Sequence, residues 1–170
     1  MAQIYVLDSS ALQTLNELAV DDDTLTEQLT ELRDKSRVIY CEAAKNERQQ
    51  YARGEPVTIW AASGWRILKN DAKVNYNSVQ SVCVDFALAP SQQHIMDINN
   101  EETDQQQALA TVVLAQQLAS TYEVIVVSNE ELTLEDRCTV PEACAFLGID
   151  NCTVKDFLDA AGVVIVTKAP

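Results

Sequence analysis

Four acidic side chains stand at intervals that an alternating strand–helix chain would fold onto one edge: Asp8 after IYVL, Glu47 in YCEAAKNERQQY, Asp104 in ETDQQQALA and Glu130 after EVIVVSN. Asp8 and Glu130 each fall just past the carboxyl end of a predicted parallel strand, where open α/β sheets place their sites. Glu47 and Asp104 lie near the starts of predicted helices whose N-termini face the same edge. Carboxylates crowded together repel one another and persist mainly when a hard divalent cation such as Mg²⁺ or Mn²⁺ neutralises them. A metal site built of acids is therefore the leading expectation.

Each acid also has an ordinary explanation. Asp8 can simply cap the helix that follows it. Glu47 is one acid among several on a polar helix, and Asp104 lies in a first helical turn, where the macrodipole favours acids. Glu130 has Glu131 beside it, and Ser128-x-x-Glu131 reads as a capping box. Individually the signals are weak, and the joint pattern carries the weight.

The elements that must position these residues follow from periodicity. Gln3–Leu7 is a short, nearly all-apolar run, as a buried central strand should be. Ser10-Ala-Leu-Gln13 matches a capping box opening a helix with Ala11, Leu12, Leu15 and Leu18 on one side. Asp21–Asp23 interrupts it, and Thr24–Lys35 reads as a second helix through Leu25, Leu29 and Leu32. Val38–Cys41 is the second predicted strand, followed by a polar helix to about Arg53 and a turn at Gly54-Glu-Pro56. Thr58–Leu68 reads as a helix with Trp60 and Ile67 at i, i+7 and Gly64 weakening its middle. Asn75–Leu88 reads as a further helix, although Val79, Val82, Val84 and Phe86 also suit a strand, and His94–Ile98 reads as a short strand.

A helix from Thr103, whose spacing to Gln106 is a capping box, carries a stripe of Ala108, Val112, Ala115 and Ala119. Glu123–Val127 is a buried strand. Thr139 caps a helix that Gly148 ends, Thr153 caps the next, and Gly162–Val166 is the last strand. No repeat or linker divides residues 1–170, so the expectation is one α/β domain with four or five short parallel strands.

Composition bounds the function. A chain of 170 residues is long enough to bury roughly 70% of its unfolded surface. Only 4 Gly and 4 Pro argue against an all-β fold of many tight turns. No segment approaches the ~18 apolar residues of a membrane span, and Asp8 interrupts MAQIYVLDSS as a signal peptide. Five cysteines without a C-x-x-C pair, three of them (Cys41, Cys83, Cys144) among apolar neighbours, read as reduced thiols in a cytoplasmic protein. A single histidine, His94, argues against zinc. The net charge of −14 opposes nucleic-acid binding through long-range attraction. Yet Lys45, Arg48, Arg53, Arg66, Lys69 and Lys73, half of the 12 basic residues, cluster in one stretch. That stretch is either a local polyanion patch or a solvated helical face.

Rival chemistries fail on the residues. A haloacid-type phosphatase needs Asp-x-Asp after the first strand, and position 10 is Ser10. A receiver domain finds only Asp8 and Lys168 in suitable places. No phosphate-cradling glycine loop and no nucleophile elbow is present. Trp60 and Trp65 have the chemistry to stack bases, but at i, i+5 on a helix they read more simply as partial core.

Four blocks together resemble a PIN domain, the nuclease fold of VapC-type toxins. IYVLDSSAL resembles the opening strand with its Asp and hydroxyl residue, and RVIYCEAAKNERQQYARGEPVTIW the second strand and helix with its acid at Glu47. TDQQQALATVVLA resembles the Asp that precedes an alanine-rich helix, and VIVVSNEEL the strand that ends in a hydroxyl residue and an acid. TVPEACAFLGI and the elements after it also fit. The resemblance implies a single PIN-like three-layer domain over 1–170, with a central four- to five-stranded parallel sheet flanked by helices.

It further implies an Mg²⁺- or Mn²⁺-dependent endoribonuclease. Asp8, Glu47, Asp104 and Glu130 would be catalytic metal ligands, and Ser10 and Ser128 would orient carboxylates or metal-bound water. Arg48, Arg53, Arg66, Lys69 and Lys73 would meet RNA phosphates. The toxin half of a toxin–antitoxin pair fits this reading, with RNA as substrate, an antitoxin protein as partner, a homodimer as an assembly and no membrane. Glu130 replaces the family's more usual Asp, and Glu42 and Glu131 compete with Glu47 and Glu130 as ligands. The alternative function is a catalytically silent PIN-like module that binds a protein.

Overall fold

Tyr5, Val6 and Leu7 have essentially no exposed surface, because the strand that carries them has a partner on each side. A computed structural model of the chain describes residues 1–19, 23–75, 103–130 and 139–166, with 103–107 as backbone. The strands are β1 (Gln3–Leu7), β2 (Val38–Tyr40), β3 (Glu123–Val127) and β4 (Asp150–Cys152). The helices are α1 (Ser9–Leu18), α2 (Thr24–Asp34), α3 (Glu42–Tyr51), α4 (Pro56–Leu68), α5 (Thr103–Leu118), α6 (Val140–Leu147) and α7 (Val154–Ala161). The fold is α/β, with a central parallel sheet in the order β2-β1-β3-β4 flanked by helices.

Register ties the sheet together. Leu7 lies opposite Tyr40 on one side and Val127 on the other, and Val127 lies opposite Cys152. The chain leaves β1 in one direction to reach β2, then returns past β1 to β3 and continues outward to β4. The connections therefore diverge at the carboxyl ends of β1 and β3, opening the crevice in which such sheets place ligands.

The helices close over the sheet by burying one side each, except α5. Residues Leu109 through Ala115 of α5 are buried on every side, because α5 packs against β1 and β3 as well as α3 and α6. Phe157 of α7 meets Tyr5 of β1 with ring centroids 4.9 Å apart. In α4 the buried side runs Trp60, Ala61, Gly64 and Leu68, whereas Ile67 is 61% exposed, so the Trp60–Ile67 pairing is not the packed stripe. At Gly64, in the middle of α4, the guanidinium of Arg33 occupies the space a Cβ would need, so the glycine admits a close packing contact.

Caps and boundaries follow local chemistry. Thr139 and Thr153 accept from the amides of Glu142 and Asp156, each at 3.2 Å, and open α6 and α7 as expected. Gly148 and Gly162 end them at φ 69° and 71°, in the left-handed region that glycine reaches without strain. Asp8 rather than Ser10 is the cap of α1, because the Asp8 backbone is extended and its Oδ1 accepts from Ala11 N at 2.7 Å. Cys41 leaves the second strand to cap α3 through its sulfur.

The last strand expected from sequence is not a strand. Residues 163–166 are irregular, and the fourth strand is the polar Asp150–Cys152. Gln28 explains part of this: its side-chain amide accepts from Val164 N at 2.9 Å and donates to Val164 O at 2.8 Å, taking the backbone groups a sheet neighbour would use. The expected helix Asn75–Leu88 beyond its first residue, the strand His94–Ile98, Asp21, Glu131 and Cys83 lie outside the described residues.

Candidate active site

Asp8 is the residue most sharply defined by its surroundings. It has no exposed surface, and its amide donates to Val127 O at 3.1 Å, pinning it between β1 and β3. Oδ1 accepts from the Ser10 hydroxyl at 2.7 Å and from Ala11 N at 2.7 Å. Oδ2 is buried and makes no hydrogen bond. Burial pushes this carboxyl up to about 7 from 3.8, with the Glu130 charge adding to the rise; the Ser128 and Ser10 hydroxyls and the Ala11 amide oppose it. A buried carboxylate oxygen without a donor is stabilised by a proton or a cation, since an isolated buried charge is costly.

The turn after β3 completes the crevice. Ser10 spends its single hydrogen on Asp8, so in its 3.2 Å contact with Ser128 the Ser128 hydroxyl donates. Ser128 Oγ in turn accepts from Glu130 N at 3.2 Å. The result is a one-directional chain from the Glu130 amide through Ser128 and Ser10 to Asp8. Asn129 locks it: its amide donates to Ser10 Oγ at 2.9 Å, its Nδ2 to Thr14 Oγ1 at 3.1 Å, and its Oδ1 accepts from Val154 N at 2.9 Å. Glu130 reaches sideways, with Oε2 accepting from Val140 N at 2.8 Å in the first turn of α6. The extra methylene of Glu over Asp provides that reach.

Glu47 arrives from α3 and is buried, whereas Glu42 is exposed at the start of the same helix. Arg48 connects Glu47 to the residue beside Asp8: Nη2 donates to Glu47 Oε1 at 3.2 Å, Nε to Ser9 Oγ at 2.8 Å and Nη1 to Gln13 Oε1 at 2.9 Å. The backbone of position 104 lies in the first turn of α5. Its C-terminal end sits at the start of β3, where Tyr122 N donates to Leu118 O. At 1.5 Å per residue the helix spans about 24 Å, which carries position 104 to the carboxyl side of the sheet. Among the described residues, no three acidic, histidine or cysteine side chains gather closely enough to hold a metal ion. The side chain of Asp104 is outside that set.

The basic residues divide. Arg53 is exposed just beyond α3. Arg66 and Lys69 are exposed at the far end of α4, where Leu68 and Asp71 line a cavity of about 110 Å³ with Ile4, Val38 and Leu118. Those partners mark the amino ends of β1 and β2 and the C-terminal end of α5. Lys73 belongs there too, since its carbonyl accepts from Gln117 Nε2 at 2.9 Å. The structure thus brings Asp8, Ser10, Ser128 and Glu130 together and links Glu47 to them through Arg48. Arg66, Lys69 and Lys73 lie at the opposite edge.

Asn129 and Ser9 were not singled out by sequence. The only signal for either was its position, two residues past a strand end at the switch point. No protein-family model, curated protein or solved structure matches this chain.

Proposed function

We propose that the chain is a metal-dependent endoribonuclease whose centre is the crevice between the carboxyl ends of β1 and β3. The observation that carries this reading is Asp8: a fully buried carboxyl with one oxygen held by two donors and the other without a hydrogen bond. The donor set suits Mg²⁺ or Mn²⁺, since it offers oxygens and neither histidine nor thiolate. A bound ion would supply water activation and charge stabilisation at a phosphodiester. Asp8, Glu47, Asp104 and Glu130 would hold it. Ser10 holds the Asp8 carboxyl and is itself contacted by Ser128, and Asn129 holds the β3 turn against α1 and α7. Arg53, exposed just beyond α3, is the cation that would meet phosphate. The toxin role, with an antitoxin as partner, belongs to this proposal.

A second reading is a silent module that binds a protein. It is favoured by Glu130, whose Oε2 is engaged by α6, and by the net charge of −14. The two separate in one experiment, in which labelled single-stranded RNA is incubated with Mn²⁺ and either wild type or Asp104→Asn. Under the nuclease reading wild type cleaves, and Asp104→Asn is slower by at least about a hundredfold at saturating RNA. Equal rates would identify a contaminating nuclease, and no cleavage together with no Mn²⁺ uptake would leave the silent module.

A further inference from the structure

Arg48 heads the basic stretch that sequence assigns to phosphate, yet its guanidinium is already used. Its side chain is 13% exposed and that of Glu47 10%. Three N–H groups are directed inward, to Ser9, Gln13 and Glu47, on two different helices. Ser9, directly after Asp8 in the chain, is itself buried. A guanidinium is a rigid fork, so three simultaneous bonds fix the relation of the groups it touches.

We infer that Arg48 is an internal positioning residue that clamps α3 onto the start of α1, holding the Glu47 carboxylate at the Asp8 turn, and that it makes no phosphate contact. Its charge offsets Glu47 inside the protein. Turning outward to a phosphate would break the bonds to Ser9, Gln13 and Glu47 together, and separating the partners of a buried ion pair is costly. The attraction for a polyanion must then come from other cations, Arg53 first. The metal arm of this inference rests on the nuclease reading, while the clamp does not.

The test compares wild type, Arg48→Met and Arg48→Lys. Mn²⁺ affinity is measured by calorimetry, and binding of labelled single-stranded RNA is measured in EDTA across a NaCl series. A group that orients a metal ligand changes metal affinity by about 10- to 100-fold when lost. Both variants should therefore weaken Mn²⁺ by that factor, because Lys keeps the charge but not the fork, and the salt slope of RNA binding should stay unchanged. The inference is overturned if Mn²⁺ affinity is unaffected while Arg48→Met lowers the slope by about 0.7, the value of one single-strand phosphate contact, and Arg48→Lys restores it. If wild type takes up no Mn²⁺, the nuclease reading fails and the clamp is decided by melting in EDTA. Ser9→Ala should then lower Tm less in Arg48→Met than in wild type, whereas additive shifts would overturn the clamp.

Discussion

Asp8 couples its chemistry to stability through one proton. Its carboxyl in the folded protein sits at about 7 against 3.8 ordinarily, with burial the main cause. Below about pH 4 both folded and unfolded chains hold the proton; between about pH 4 and 7 only the folded chain does. The folded state therefore binds more protons in that window, and stability falls as pH rises through it, by on the order of 4 kcal/mol at 1.36 kcal/mol per unit. Asp8→Asn carries no charge and should lack this component. In EDTA, the difference in Tm between Asp8→Asn and wild type should grow from pH 5 to pH 8 in favour of the variant. A difference that stays flat, or favours wild type at pH 8, would show that the carboxyl ionises there without cost. At the same scale Glu130 shows what a methylene does: the longer acid joins the crevice by charge and α6 by a hydrogen bond.

At the scale of elements, the helices are joined by side chains that satisfy backbone groups. Asn16 is buried on α1 and serves α4: its Oδ1 accepts from Val57 N at 2.7 Å and Thr58 N at 3.2 Å, and its Nδ2 donates to Thr58 Oγ1 at 2.9 Å. The first turn of α4 has no cap of its own, since Glu55 makes no side-chain cap bond. Asn16→Ala leaves two amides and a buried hydroxyl group without this partner, which costs about 2–4 kcal/mol. Urea denaturation should show a lower midpoint with an unchanged slope. A midpoint equal to that of wild type would mean water caps α4 as well as Asn16 does. Asn129 does the same work across α1 and α7, so the crevice and the helix packing share residues.

For the whole molecule the net charge of −14 sets the background. Self-repulsion of this size weakens the compact state, and salt screens it. Tm should rise with NaCl, and Mn²⁺ at matched ionic strength should raise it further by mass action. At about 100 times Kd that increment is about 2.7 kcal/mol, or about 5–10 °C for a chain of this length. The increment should shrink strongly in Asp8→Asn, while the NaCl response stays. An identical Mn²⁺ response in both proteins would reduce it to screening. No described helix is long and apolar enough to cross a membrane.

What the sequence determined by itself is what local chemistry controls. The apolar runs at Gln3–Leu7 and Glu123–Val127 are strands, and the Thr139–Gly148 and Thr153–Gly162 pairs bound their helices, because caps and burial periods act within a few residues. The placement of Asp8 after a central strand was legible for the same reason. The tertiary structure decided the rest. Asp150–Cys152 is a strand because Val127 is beside it, a fact its polar residues do not encode, and Gly162–Val166 is not one, in part because Gln28 takes the backbone groups of Val164. Arg48 and Lys73 belong to one basic stretch but to opposite edges, since α4 runs between them and its far end packs at the amino ends of the strands. Where a long side chain points is set by the element packed against it, and that contact joins residues far apart in the chain.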